Sequence, residues 1–431
     1  MSPMSKFIVN GGRPVIGRVS IQGSKNAALP ILAATLLCTG KSKICRCSEL
    51  SDIDASVDIL RSLGCQCTVD DKCVEVDSGR VCEYTVSECL MSRMRSSIIY
   101  MGALLARCGR AEVSFPGGCE LGSRPIDLHL SSLRLMGAEI DESGGYLHCE
   151  APHGLHGAYI DLPVASVGTT ENIILAAVTA EGRTVIRNAA REPEIVDLCA
   201  YLRQCGAKID GDGQGVIAID GVGRLRGTEY SVMPDRIAAV TYLAAAAITG
   251  GDVEVYDCRP EHMYPVLSYF EQAGCDLTVT DSSVRLRAYD RPRRFEVIST
   301  HVYPGFPTDA QPIMLAVSTV ADGTSMFVEN IFSCRYKYAD RLQKMGAHIR
   351  ISERVAVVEG VERLHGAKVS ATDLRGGAAV LLAALAAEDT TVIDNICHIE
   401  RGYEHIDDIL NSLNADVKRV NDDVEQPNEP C

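Results

Sequence analysis

The chain has 431 residues, 46% of them apolar, a length beyond what one core usually fills, so two domains of roughly 200 residues each are expected. With 57 acidic against 42 basic residues and a net charge of −15, it is a poor candidate for wrapping nucleic acid, and any anion site must gather its cations locally. No apolar run reaches the roughly 18–20 residues that span a bilayer, the start MSPMSKFIVN shows no signal peptide, and 18 thinly spread cysteines form no paired CxxC knuckles. A soluble cytoplasmic protein with reduced thiols, no metal and no cofactor is therefore expected.

Taken in order, the first 20 or so residues, with IVNGGRPVIGRVSI, are expected to pair with the C-terminal half. Ser24-Lys25-Asn26 precedes AALPILAATLL, so Ser24 is placed as a helix N-cap. Lys25 then adds charge to a helix N-terminus that suits an anion, although a solvated lysine at a helix start has the same pattern. Arg95, in MRSSII, enters an otherwise apolar helix and needs an anionic partner, either a structural acid or a ligand. The stretch FPGGCELGSRPID has the composition of a hinged lid, with Gly117, Gly118 and Gly122 between Pro116 and Pro125. Most cysteines in such a chain are small core fillers. Cys119 differs in sitting on this polar loop, with Arg124 close enough in sequence to lower its pKa and Asp127 just beyond.

Further along, GDGQG at residues 211–215 lies between two strand-like runs and reads as a hairpin turn. Asp309, in PGFPTDAQPIML, either caps the next helix or presents a carboxylate held rigidly by Pro304 and Pro307. Arg335, Arg375 and Arg401 fall at edges between apolar segments. In an acidic chain they suggest a shared anionic ligand, such as a phosphate together with a carboxylate. Residues 421–431 read as a disordered tail.

A repeat underlies this order. The turns SLGCQCTV, LMGAEIDE, QCGAKIDG, QAGCDLTV, KMGAHIRI and SLNADVKR place Gly64, Gly137, Gly206, Gly274, Gly346 and Asn414 at intervals of 68 to 73 residues. Gly, with Asn as its substitute, is what a left-handed helix C-cap accepts. An Ala/Leu-rich helix and a β-branched strand precede each turn, so each unit of about 70 residues reads as helix, strand, helix, two strands. Three units per domain follow, with residues 22–233 as the first domain and residues 1–21 with 234–420 as the second. The cleft between them is the expected site.

The ordered set GSKNAALPI, MRSS, PGGCELGSRPIDLHL, SVGTTENIILAA, NAAREPEIVD, MPDRI, FPTDAQP, ATDLRGG and HIERGYEHI resembles the UDP-N-acetylglucosamine enolpyruvyl transferases over nearly the whole chain. The resemblance implies an α/β fold, a two-domain inside-out α/β barrel of six repeated units. It implies transfer of enolpyruvyl from phosphoenolpyruvate to the 3-hydroxyl of UDP-N-acetylglucosamine with release of phosphate, the first committed step of peptidoglycan precursor synthesis. Lys25, Arg124 and Arg401 would then hold phosphoenolpyruvate, with Arg95 and Arg375 completing the cationic surround. Cys119 would protonate the methylene carbon, Asp309 would accept the hydroxyl proton, and Asn26 would orient the sugar. The uridine diphosphate would lie along Arg124, Pro125, Ile126, Asp127, Leu128, Ser166, Val167 and Gly168. Ile331 and Arg335 would also meet substrate, and Asp373 would help hold the acid loop or the intermediate.

The chain departs from the family at Ser333 and Tyr338, which stand where an acid and a histidine are common, and at Ala238 and Val240, which replace an acid and a glycine. These changes bear on turnover, closure and sugar specificity. Two alternatives follow: transfer to another acceptor such as 3-phosphoshikimate, against which Cys119 and SVGTT argue, and a weakly active paralogue that binds the sugar nucleotide in a regulatory role.

Overall fold

Helices that are apolar on every side leave no face for water, and three of them form the centre of each half of this chain. The computed structural model describes residues 5–115 and 126–421. In the C-terminal half Arg236–Thr249, Gln311–Ser318 and Leu374–Ala386 pack on one another, and nearly every residue of each is buried. In the N-terminal half Tyr100–Cys108 packs against Val167–Ala177, with Lys25–Ala34 beside them. Buried apolar residues form two separate clusters. One runs from Ala27 to Met233; the other joins Phe7, Val9, Val15, Val19 and Ile21 to residues from Ala238 to Val417.

Six four-stranded sheets surround these helices. Their strands alternate in exposure, as in Lys41–Cys45 and Thr324–Val328, so that one face rests on the helices and the other meets water. Helices inside and sheets outside make this the two-domain inside-out α/β fold. The six repeat turns follow from their residue types: Gly64, Gly137, Gly206, Gly274, Gly346 and Asn414 have φ of 97°, 96°, 107°, 91°, 93° and 73°. Each ends a helix in the left-handed conformation. The GDGQG segment joins the antiparallel strands Lys208–Asp210 and Val216–Asp220 as a hairpin.

The chain passes between the halves twice. Ser5–Asn10 lies between Thr390–Asp394 and Val417–Asn421, while Ile16–Ser20 pairs in parallel with Asp252–Tyr256. Glu229–Ser231 pairs in parallel with Lys41–Cys45 of the first unit. Where the two passages meet, the Ser24 N–H donates to the Met233 carbonyl at 2.8 Å and the Asp235 N–H to the Gln22 carbonyl at 2.9 Å. The crossings thus support each other.

Reduced thiols throughout is an expectation the structure corrects. Cys45 and Cys73 are joined as a disulfide, because the register that sets Ile44 opposite Val74 brings their Cα atoms to 4.1 Å. Among the described residues the other cysteines are free. No described helix is long and apolar enough to cross a membrane. Asn421, expected to open the disordered tail, instead ends the strand Val417–Asn421 by pairing with Ser5. The rest of that tail and the loop bearing Cys119, Arg124 and Pro125 lie outside the described residues.

Gly102 shows how closely the central helices approach. Its N–H donates to Asn172 Oδ1 at 2.7 Å, and a Cβ there would stand 2.2 Å from that oxygen and 2.4 Å from the Asn172 carbonyl. Gly102→Ala is expected to lower stability by about 1–3 kcal/mol through overpacking. Urea unfolding measures it, and an unchanged midpoint would contradict the packing described.

Candidate active site between the two halves

Two carboxylates, one buried in the first half and one half-buried in the second, gather four of the cations singled out in the sequence. Asp52 lies in the first turn of Ser51–Ser62 and is 3% exposed. Its Oδ2 accepts from Lys25 Nζ at 2.9 Å and its Oδ1 from Arg401 Nε at 3.0 Å, with Arg401 Nη2 at 3.4 Å from Oδ2. One carboxylate facing two cations leaves an excess positive charge at the junction. Burial alone raises the Asp52 carboxyl, but Lys25 and Arg401 together bring it below the ordinary range. Burial lowers Lys25, only partly offset by Asp52, and the charges of Arg375 and Arg401 push it the same way. Those four groups are therefore close enough to feel one another.

Asp309 is the second centre. It occupies the short three-ten turn Thr308–Ala310 rather than capping the helix Gln311–Ser318. Its Oδ1 accepts from Arg335 Nη2 at 3.2 Å and its Oδ2 from Arg375 Nε at 3.3 Å. Both guanidiniums are nearly sealed from solvent, at 1% and 3% exposure, and among the described residues neither Arg335 Nε nor Arg375 Nη1 has a hydrogen-bond partner. Such donors suit an additional anion. Arg375 also stacks over the Tyr403 ring at 5.3 Å. Asp373 is the N-cap of Leu374–Ala386, accepting from the N–H groups of Arg375 at 3.2 Å and Gly376 at 3.0 Å, which fixes where Arg375 begins its reach.

Ser24 stands at the N-cap of Lys25–Ala34 but makes no side-chain cap bond; its backbone is used by the crossing instead. Asn26 is exposed one position after Lys25. Arg95 opens the three-ten turn Arg95–Ile99. Ile126 is buried, Asp127 exposed and Leu128 half-buried at the start of Asp127–Leu135. Ser166 caps Val167–Ala177, its Oγ accepting from the Thr169 N–H at 3.4 Å. A Cβ on Gly168 would lie 3.4 Å from His129 Cε1, so these two helix starts are neighbours. Ile331 is partly exposed, and its N–H donates to Glu329 Oε1 at 2.8 Å.

Sequence reading missed several groups here. Asp52 is the chief one. His129 is held by Asn172 Nδ2 at 3.0 Å, and burial followed by the charge of Arg95 lowers its pKa to about 4, so it is neutral at neutral pH. Beside the crossing, Arg236 forms a forked contact with Glu194 at 3.0 and 3.3 Å. Glu171 lies buried near by, raised well above the usual carboxyl range by burial and by Glu194 and Glu192. Of the departures from the family pattern, Tyr338, Ala238 and Val240 are all buried in packing, and Tyr338 donates to Gln311 Oε1 at 3.1 Å. Only Ser333 among the four is exposed.

An inside-out α/β fold with cations from both halves around one junction defines a class, the enolpyruvyl transferases, and comparison with known proteins agrees. The family described as EPSP synthase (3-phosphoshikimate 1-carboxyvinyltransferase) matches residues 9–410. The chain is 47% identical over 417 residues to UDP-N-acetylglucosamine 1-carboxyvinyltransferase 2 of Caldanaerobacter subterraneus subsp. tengcongensis, covering 97% of this chain and 100% of that one. It is 46% identical over 418 residues to UDP-N-acetylglucosamine 1-carboxyvinyltransferase of Saccharophagus degradans, again covering 97% and 100%. The chain belongs to the EPSP synthase family, and within it to the UDP-N-acetylglucosamine 1-carboxyvinyltransferases. In fold it is similar to the enolpyruvyl transferase NikO from Streptomyces tendae, with a TM-score of 0.88 at 23% identity over 97% and 99% of the two chains. It is also similar to an EPSP synthase from Acinetobacter baumannii, with a TM-score of 0.76 at 20% identity over 97% and 100%.

Because the folded-state Asp52 carboxyl is depressed, its contribution to stability is fully present above the unfolded value near pH 4 and is lost as pH falls through the folded value. Asp52→Asn is expected to cost about 3–5 kcal/mol at neutral pH by leaving the buried Lys25 uncompensated. It should also flatten the loss of stability below about pH 4. Urea unfolding across that range tests both, and parallel profiles for the two proteins would contradict the triad.

Proposed function

We propose that the chain transfers the enolpyruvyl group of phosphoenolpyruvate to the 3-hydroxyl of UDP-N-acetylglucosamine and releases phosphate. The observation that carries this reading is the convergence of Lys25, Arg401, Arg335 and Arg375 on two carboxylates, the buried Asp52 and the half-buried Asp309, in a chain 47% identical along its length to a transferase of that name. In this reading Lys25 and Arg401, with Arg124, hold the phosphate and carboxylate of phosphoenolpyruvate, and Arg95 and Arg375 complete the cationic surround. Arg335 and Arg375 orient the Asp309 carboxylate toward the sugar hydroxyl. Asn26 orients the sugar, and the nucleotide lies along residues 124–128 and 166–168, with Ile331 at its edge.

The steps follow from these positions. The 3-hydroxyl oxygen bonds to C2 of phosphoenolpyruvate as Asp309 takes its proton and Cys119 gives a proton to the methylene carbon. The tetrahedral adduct then loses phosphate, and the new methyl group gives up a proton to restore the double bond. Asp373 acts on this chemistry by anchoring Arg375. Two domains, residues 22–233 and residues 1–21 with 234–420, close on the substrates in this account. The reaction sits in the cytoplasm at the head of peptidoglycan precursor synthesis, a placement supported by its two highly charged substrates.

Phosphate release from phosphoenolpyruvate, measured with and without UDP-N-acetylglucosamine, tests the reading. The native chain should release phosphate only with the sugar present. Cys119→Ala and Asp309→Asn should each lower turnover by about 10²–10⁴-fold, with much smaller effects on substrate binding. Sugar-independent release, or full turnover in either variant, would overturn the assignment.

A further inference from the structure

A hairpin in the first unit carries groups that the transfer chemistry does not use. Its strands Gln66–Asp70 and Cys73–Asp77 are joined through Asp71 and Lys72, whose φ angles of 42° and 60° are left-handed positions that usually select Gly or Asn. Cys73 is bonded to Cys45, and both are only half-buried, within reach of small thiols and disulfides. On each side of this bond the chain reaches across to the other half. Arg46, directly after Cys45 and also left-handed at φ 60°, donates from Nη2 to the Ile21 carbonyl at 2.6 Å and the Asp257 carbonyl at 2.7 Å. Lys72, directly before Cys73, places Nζ 3.0 Å from Glu404 Oε2, and its carbonyl accepts from the Cys47 N–H at 2.8 Å. The other Glu404 oxygen accepts from the Glu49 N–H at 3.1 Å. Glu404 is three residues beyond Arg401, which rests on Asp52.

We propose that Cys45 and Cys73 form a reversible redox staple, a thiol–disulfide modification site that braces Lys72 against Glu404 and so holds the turn bearing Arg401 to the first half. Oxidation joins the two sulfurs with loss of two protons and two electrons. A low-molecular-weight disulfide takes these up as its own S–S bond is cleaved to two thiols, and excess thiol reverses the exchange. Disulfides in cytoplasmic proteins are usually transient and redox-sensing, which fits this placement. When the bond opens, the left-handed Asp71–Lys72 turn loses its covalent brace, Lys72 moves off Glu404, and the Arg401 turn is freed. The effect on phosphoenolpyruvate rests on the transfer reading; the effect on the turn does not.

The test equilibrates the full chain in reduced and oxidised glutathione and compares it with Cys45→Ser/Cys73→Ser. Differential alkylation with peptide mass spectrometry reads the bond, hydrogen exchange reads residues 399–407, and phosphate release reads the KM for phosphoenolpyruvate. Oxidised glutathione should form the bond and slow exchange in that turn, while reduction should open it and raise the KM about fivefold with little change in kcat. The serine variant should match the reduced native chain in both buffers. Free alkylation of both cysteines at every glutathione ratio would overturn the staple. So would a bond without a change in exchange, or a serine variant that responds as the native chain does. If exchange follows the bond but no phosphate is released in either state, the transfer reading fails and the staple stands.

Discussion

A carboxylate buried between cations from opposite halves is the constraint on which the rest of this structure depends. Asp52 neutralises only one of the two charges it meets, so Lys25 and Arg401 together remain electropositive where the halves join. Holding cations in a nearly dry place is costly unless they are paired. The arrangement therefore links folding to function: the acid that keeps the junction together in the absence of an anion also presets the cations that an anion would use. Asp309 gathers a second pair of cations, Arg335 and Arg375, within the C-terminal half. Arg375, capped into place by Asp373, is also close enough to influence Lys25, which joins the two centres electrostatically.

The fold supplies the geometry for this arrangement. Each all-apolar helix must be enclosed, each enclosing sheet must turn back on itself, and the left-handed residue at each repeat turn allows it to do so. Residues in the first turns of Lys25–Ala34, Ser51–Ser62 and Leu374–Ala386 are brought together at the junction, where Lys25 bonds Asp52 and feels the charge of Arg375. Cation and carboxylate positions then follow from the helix positions. The chain's departures from the family pattern at Ala238, Val240 and Tyr338 are buried in packing, and Tyr338 bonds Gln311 at the start of a central helix.

Much of this was legible in the sequence, for reasons that differ between elements. The repeat turns were readable because left-handed backbone demands Gly or Asn, and the central helices because no polar stripe interrupts them. Lys25, Asp309, Arg335, Arg375 and Arg401 stood out as charges at the edges of apolar segments. Asp52 did not, because an acid in the first turn of a helix is common for capping reasons alone and its partner Arg401 lies 349 positions away. His129 carries no signal in the sequence, because the Asn172 that bonds it and the Arg95 whose charge it feels lie on other elements. The Cys45–Cys73 bond was hidden because nothing in its spacing sets those two thiols apart from the others; only strand register brings them together.

The most direct test of the central claim is the identity of the product. The full chain is incubated with phosphoenolpyruvate and an equimolar mixture of UDP-N-acetylglucosamine and 3-phosphoshikimate, and the products are identified by mass spectrometry and NMR. The account predicts an enolpyruvyl ether on the 3-oxygen of the sugar nucleotide and unchanged 3-phosphoshikimate. An ether on 3-phosphoshikimate, or recovery of both acceptors unmodified, would contradict it.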